Sequence, residues 1–257
     1  MLALPEGYAL YEYDILDSTN EEASRRAEAG DIGPAVVWAK TQTAGRGRRG
    51  REWVSKPGNV FMSVLIDPGK PLTEASQLSF AASLAVKRTL EDVTSSWPEP
   101  MPITLKWPND VLLGDQKVSG ILLEGGSAPD GNGGQRDYLI IGIGVNLKHA
   151  PEGAPFPATS LVANTGAQMP VDEVVSRITQ HLHALIEVWQ TSGFLPLRLE
   201  WLASADRLGE TIDVQQGENR IQGTFLDVSA EGALQLGLED GREETIHAGD
   251  VYFPDSQ

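Results

Sequence analysis

The tract Gly45-Arg46-Gly47-Arg48-Arg49-Gly50-Arg51 decides between two different folds. Formally its glycines match the Gly-x-Gly-x-x-Gly fingerprint of a dinucleotide-binding turn, which must leave a strand and open a helix. Upstream, the apolar residues 35–39 form the strand that such a turn requires. Downstream, the chain runs on through Trp53 as loop and then into a strand at residues 59–66, with no helix between. A doubly wound nucleotide fold is therefore excluded, and the tract becomes a loop joining two strands. Four arginines crowded into it repel one another, so the loop is expected to order when an anion neutralises it, which points to a phosphate or carboxylate ligand.

Before the tract, alternating Tyr8-Ala9-Leu10-Tyr11-Glu12-Tyr13 predicts an opening strand. Ser18-Thr19-Asn20-Glu21 reads as a capping box that starts a short helix closed by Gly30. A helix start also gathers hydroxyl and amide groups beside backbone donors, a suitable place to hold a compact polar ring. After the tract, residues 78–86 are so apolar that a helix there must be buried on most of its surface. Val171, Val174, Val175, Ile178, Leu182, Leu185 and Trp189 mark one stripe of a second, amphipathic helix. Between the two helices the pattern is β: residues 103–106, 111–113, 117–123 and 138–147, with a hairpin loop at 127–135 and a Pro/Gly-rich surface loop at 150–157.

Beyond Trp201 short strands alternate with glycines, at residues 211–214, 220–226, 233–238 and 243–247. The expected fold is α+β: a mixed β-sheet catalytic domain flanked by helices, residues 1–205, and a small C-terminal SH3-like β-barrel, residues 206–257.

Composition narrows the function. With 257 residues and 40% hydrophobic side chains, the chain can bury one large core plus an appendage. The absence of cysteine removes disulfides, thiolate zinc sites and cysteine nucleophiles. A formal net charge of −16 opposes general binding to nucleic-acid backbones, and a single Arg-Gly cluster flanked by strands is a poor RNA-binding segment. No run reaches the ~20 apolar residues of a membrane span, and no export signal opens the chain, so a cytoplasmic protein is expected. His149, His181, His183 and His247 lack metal-binding spacing, and no metal site is assigned.

Lys106-Trp107-Pro108-Asn109-Asp110 combines a cation, an aromatic wall and a carboxylate, and Pro108 biases Trp107 toward an extended conformation at a strand end. Alone the tract also reads as a strand end with a solvated lysine and two turn residues. Lys117, before Val118-Ser119-Gly120-Ile121-Leu122, would ordinarily be an exposed strand-edge lysine. Gly142-Ile143-Gly144-Val145-Asn146 ends an apolar strand where paired glycines admit a ligand to the backbone, and Asn146 offers a donor and an acceptor to a base edge.

In this order, Ser18-Thr19-Asn20, the tract from Gln42 through Gly45 to Arg51 with Trp53, residues 106–110, Lys117 with Gly120-Ile121-Leu122 and Glu124, and Gly142 to Asn146 resemble biotin protein ligases over nearly the whole chain. The resemblance implies that biotin and ATP, with Mg²⁺, form biotinoyl-5′-AMP, and that a lysine of a biotin carboxyl carrier domain then takes the biotin. It assigns Ser18, Thr19, Asn20 and Gln42 to the ureido ring, with Gly45, Arg46, Gly47 and Arg48 closing over the carboxylate and phosphate. Lys117, Arg48 and Asp110 are the catalytic candidates: Lys117 bridges the reacting oxygens, and Asp110 accepts a proton from the incoming lysine. Arg46, Arg48, Arg51, Trp53, Lys106, Asn109, Lys117, Gly142, Gly144 and Asn146 fall to ATP and the adenylate.

Only a short segment precedes Ser18, so the winged-helix domain of many bacterial relatives is not expected, nor a repressor role. A homodimer is left open. Lipoate ligases, similar in fold, are the competing enzyme class, but an apolar lipoate ring would leave the polar group at residues 18–20 and 42 unpaired, at roughly 1–3 kcal/mol each. An RNA-gripping module is the competing non-enzyme.

Overall fold

The computed structural model describes residues 2–95, 101–129, 133–154, 156–166 and 168–253. In chain order its elements are β1 (Ala9–Leu16), α1 (Thr19–Glu28), β2 (Ala35–Gln42), a 3₁₀ turn at Arg48–Gly50, β3 (Val60–Ile66), α2 (Leu72–Ala75) and α3 (Leu78–Thr94). There follow β4 (Ile103–Lys106), β5 (Asp110–Leu113), β6 (Gln116–Pro129), β7 (Gln135–Val145), α4 (Leu161–Thr165), α5 (Val171–Ser192) and α6 (Leu195–Leu202). The chain closes with β8 (Thr211–Gln216), β9 (Asn219–Val228), β10 (Leu234–Gly237), β11 (Glu243–Ile246) and β12 (Asp250–Tyr252).

Seven strands form one mixed sheet in the order β1-β2-β3-β7-β6-β5-β4, in which only the β1–β2 pair is parallel. Strand alternation divides its side chains between two faces. Val36, Trp38, Met62, Val64, Ile141 and Ile143 join α3 and α5 in the main core. Ala35, Val37, Leu65 and Ile140 meet Ala23 and Ala27 of α1 on the other side. All three expected helices are present: α1 follows Ser18, and α3 and α5 are each longer than their apolar cores. Of the stripe on α5, Val174, Val175, Ile178, Leu182, Leu185 and Trp189 are buried, and Val171 is half-buried at the first turn. The apolar face thus continues to the helix end, where Gly193 stops it.

The second sheet is five-stranded and antiparallel, in the order β11-β10-β9-β8-β12. Its outer strands do not pair with each other among the described residues, so the observed arrangement is an open sheet. Strand β12 has only three residues, too few for an alternating pattern to reveal it in the sequence. The sheet is tied to the first one: Asp206 N–H donates to the Leu105 carbonyl at 2.8 Å, and the Trp107 indole N–H donates to the Gly232 carbonyl at 3.1 Å. The expected hairpin loop at residues 127–135 is shorter than its composition suggests, because β6 and β7 pair as far as Pro129 and Gln135. The residues between, 130–132, lie outside the described ones. No helix among the described residues is long and apolar enough to cross a membrane.

Candidate active site

A cavity of about 290 Å³ lies between the first sheet, the arginine loop and strand β12. One end of it is neutral. Ser18 occupies the N-cap of α1 in an extended conformation, but its side chain caps nothing, and Glu21, the expected partner in a capping box, pairs instead with Arg46 at 2.7 Å. The Ser18 hydroxyl therefore remains on the cavity wall. Thr19 N–H donates to Gln42 Oε1 at 2.8 Å, which fixes the orientation of that amide. Below them lies Ser63 of β3, fully buried, with its Oγ 2.8 Å from Thr19 Oγ1 and 2.5 Å from Asn20 Oδ1. Asn20 Nδ2 in turn donates to Glu124 Oε2 at 2.7 Å.

Glycines make this floor possible. A Cβ on Gly142 would sit 2.3 Å from Asn20 Oδ1, and one on Gly144 would sit 2.4 Å from the Trp53 indole. A Cβ on Gly45 would press on Ser55 Oγ and the Trp53 carbonyl, both at 2.6 Å, so this glycine lets the loop fold back on itself. Asn146 is more committed than its sequence context suggests: its Nδ2 donates to the Thr159 carbonyl at 3.1 Å.

The other end is ionic. Residues 106–110 form a tight turn between β4 and β5, with a cis Trp107–Pro108 peptide, instead of an extended strand end. The register of this hairpin sets Lys106 opposite Asp110, and β6 brings Lys117 alongside. Lys117 Nζ lies 2.5 Å from Asp110 Oδ1, and Lys106 Nζ 3.4 Å from Asp110 Oδ2. Lys106 is not solvated; it is 6% exposed, donates to the Val251 carbonyl at 3.1 Å and stands 3.5 Å from the centre of the Phe156 ring. Burial pulls the Lys106 ammonium below its usual range. Burial pushes the Asp110 carboxyl up, but Lys117 and Lys106 more than offset this and hold it below the ordinary aspartate range. Trp107 lines the cavity and also bridges to the second sheet through its indole N–H.

The four arginines of the loop pair with the protein's own carboxylates, three of them sharing Asp250. Arg49 and Arg51 reach Asp250 at 3.1 and 2.9 Å, and Arg48 stands 3.7 Å from the same carboxylate. Arg48 NH1 also donates to Asn109 Oδ1 at 3.1 Å, and burial draws its guanidinium below the usual range. Arg46 binds Glu124 at 3.0 Å as well as Glu21. Asp250 offsets part of the mutual repulsion, and an anionic ligand that reaches Arg49 or Arg51 would compete with it.

Comparison with known proteins agrees with this geometry. Residues 14–146, more than half of the chain, match the model of the biotin/lipoate A/B protein ligase family, and residues 208–253 match the biotin protein ligase C terminal domain. The chain is 39% identical to the biotin–[acetyl-CoA-carboxylase] ligase of Paracoccus denitrificans, over 92% of this chain and 97% of that protein. The chain belongs to the biotin protein ligase family. It is also 31% identical to the bifunctional ligase/repressor BirA of Bacillus subtilis, over 95% of this chain and 74% of that protein. Among solved structures, the biotin protein ligase of Aquifex aeolicus in complex with biotin and ATP superimposes with a TM-score of 0.79 at 30% identity, covering 95% and 97% of the two chains.

Within this biotin protein ligase architecture, the sequence-derived residues are gathered in one place, Gly45 standing just behind the wall. Three participants escaped the sequence. Ser63 sits in an apolar strand and Phe156 in a loop without a motif. Asp250 follows a glycine in a three-residue strand of the other sheet. A carboxylate two hundred positions from the arginines carries no local signal of its role.

Among the described residues no group of three or more His, Cys, Asp or Glu could hold a metal ion. Asp110 is paired with two lysines and Asp250 with three arginines, while Glu21 and Glu124 share Arg46.

Proposed function

We propose that the protein is an ATP-dependent biotin ligase acting in two half-reactions. In the first, a carboxylate oxygen of biotin attacks the α-phosphorus of ATP, the bond to the β-phosphate breaks and pyrophosphate leaves, giving biotinoyl-5′-AMP. In the second, the amine of a carrier-domain lysine attacks the acyl carbon, the bond to the phosphate oxygen breaks, AMP leaves, and the amine gives up a proton.

One observation carries this reading: a neutral, hydrogen-bonding pocket opens directly onto Lys106, Lys117, Arg46 and Arg48 in the same cavity. Two anions must meet in the first step, so positive charge and in-line positioning supply most of the rate. Ser18, Thr19, Asn20 and Gln42 are assigned to the ureido ring, and Arg46 and Arg48, with the backbone of Gly45 and Gly47, to the carboxylate and phosphate. Lys117 is assigned to the reacting oxygens, which requires it to turn from Asp110. That carboxylate is then available to take the proton from the acceptor amine, a necessary task because a lysine of pKa about 10.4 is almost wholly protonated at neutral pH. Arg51, Trp53, Lys106, Asn109, Gly142, Gly144 and Asn146 are assigned to the adenylate, with Asn146 acting through its Oδ1.

Mg²⁺ belongs to this reading as the ion that travels with the ATP phosphates, since no group of three or more His, Cys, Asp or Glu gathers among the described residues to hold a metal. The reading further divides the chain into a catalytic domain, residues 1–205, and an SH3-like C-terminal domain, residues 206–257. It names a biotin carboxyl carrier domain in the cytoplasm as the acceptor.

The test is ATP-dependent pyrophosphate release. Biotin is expected to stimulate it and lipoate to leave it at background. Stimulation by lipoate alone would move the chain to the other half of its family, and release with neither acid would refute the reading.

A further inference from the structure

The neutral and ionic ends of the cavity are joined at one side chain that neither end requires for its own chemistry. Glu124 lies on β6, four residues past Gly120 and hence on the same face of the strand as the cavity glycine. Two elements converge on its carboxylate, and a third holds its backbone. From α1, Asn20 Nδ2 donates to Oε2 at 2.7 Å. From the arginine loop, Arg46 donates to Oε1 and Oε2 at 3.0 and 3.1 Å. The strand itself is held by β7, where Glu124 pairs with Ile140, two positions before Gly142.

The chemistry of the Asn20 amide gives this arrangement its meaning. The two ends of a primary amide are nearly alike in shape but opposite in hydrogen bonding, so its orientation must be imposed by neighbours. A carboxylate only accepts, which fixes Nδ2 toward Glu124. The Ser63 hydroxyl at 2.5 Å can donate to Oδ1, which fixes the other end. A cyclic urea presents one acceptor and two donors, and a reversed amide would face it with the wrong groups. Arg46, in turn, is held to the body of the protein by two carboxylates, Glu124 on β6 and Glu21 on α1.

We propose that Glu124 is a positioning residue that couples recognition of the ligand ring to the state of the arginine loop. Because one carboxylate both orients Asn20 and anchors Arg46, a ring that engages Asn20 tightens the same contact that holds the loop over the cavity. Glu21 supplies anchoring alone, since its carboxylate pairs with Arg46 while the Asn20 amide donates to Glu124. The inference rests on the reading of the pocket as a biotin site.

The experiment compares the full-length protein with Glu124→Gln and Glu21→Gln, using calorimetric titration with biotin and hydrogen exchange across residues 45–53, with and without saturating biotin. The wild type is expected to bind biotin and to gain protection in the loop. Glu124→Gln should bind about tenfold more weakly, the size expected for one hydrogen bond to a charged group, and should gain no loop protection even when saturated. Glu21→Gln should keep biotin affinity within about twofold. Matching thermal melts establish that the variants are folded. Should Glu124→Gln misfold, Glu124→Asp takes its place, and unchanged affinity with unchanged loop protection in that variant overturns the coupling. The same result in Glu124→Gln overturns it as well, as does a Glu21→Gln variant that loses as much affinity as Glu124→Gln. Failure of the wild type to bind biotin at all would instead remove the biotin reading, and the coupling with it.

Discussion

The two ends of the cavity are built on opposite principles. At the neutral end, side chains hydrogen-bond to one another in fixed geometry on α1, β2 and β3: Thr19 to Gln42, Ser63 to Thr19 or Asn20, Gln42 to Ser55. Such a network costs nothing to hold when empty and rejects a ring that cannot complete it. At the ionic end, three carboxylates serve as stand-ins for an anion: Asp110 for the lysines, Asp250 for most of the arginine loop, Glu124 for Arg46. There the ligand must displace an internal partner. On the proposed reading, the difference teaches that selectivity is laid down as neutral hydrogen-bonding geometry, while reactivity is stored as charge that can change hands.

The sharpest way to break this division is Lys117→Ala. Removing a cation aimed at developing charge is expected to lower adenylate formation by about a thousandfold or more, while biotin affinity by titration stays within a few-fold. A variant that turns over at near wild-type rate would show that the ionic end is not where the chemistry is done. Next in size is Asp110→Asn. It is expected to build biotinoyl-5′-AMP yet pass it on about a hundredfold more slowly, with partial recovery between about pH 7 and 9 as more acceptor lysine becomes neutral. Single-turnover transfer from preformed adenylate is the measurement, and failure at adenylate synthesis would place Asp110 with the ATP apparatus.

Asp110 also makes a prediction about stability. Its carboxyl is depressed in the folded protein, so its contribution is present above the unfolded value of 3.8 and lost as pH falls through the folded value. Thermal melts below about pH 4 should therefore decline less steeply in Asp110→Asn than in the wild type.

A smaller effect is expected at the neutral end. Gln42→Ala should weaken biotin about tenfold, since it leaves Thr19 N–H without its acceptor, with kcat at saturating biotin unchanged within about twofold. A fall in kcat instead would mean that the two ends are not separable. The smallest is Trp107→Phe, which deletes the bond to the Gly232 carbonyl and should cost about 1 kcal/mol of stability by denaturant titration.

How much of this could be read from the chain follows the same contrast. The arginine loop and residues 106–110 are contiguous, so their density of charge and turn residues announced them, and with them the strand–loop–strand order that excluded a dinucleotide fold. The long helices α3 and α5 were legible because an apolar stripe repeats over several turns. Ser63 was not, because one serine among valines and leucines in a buried strand looks like any interruption of a hydrophobic run. The capping box misled for a related reason: Ser18 and Glu21 have the right spacing, but Arg46, 25 positions further along, competes for the glutamate. Local patterns cannot register a partner that only folding brings near.

Asp250 stands 201 positions after Arg49 in the chain and accepts a hydrogen bond from its guanidinium. Proteolytic trimming that removes this residue and the rest of β12 would spare every motif of the catalytic sheet. It would nonetheless leave Arg49 and Arg51 without their carboxylate, Lys106 without the Val251 carbonyl and Arg48 without its ion pair to Asp250. The loop would then carry uncompensated positive charge at the surface of an acidic protein, free to adhere to any polyanion. The last strand thus doubles as an integrity check: a chain that has lost it announces the damage at its own active site.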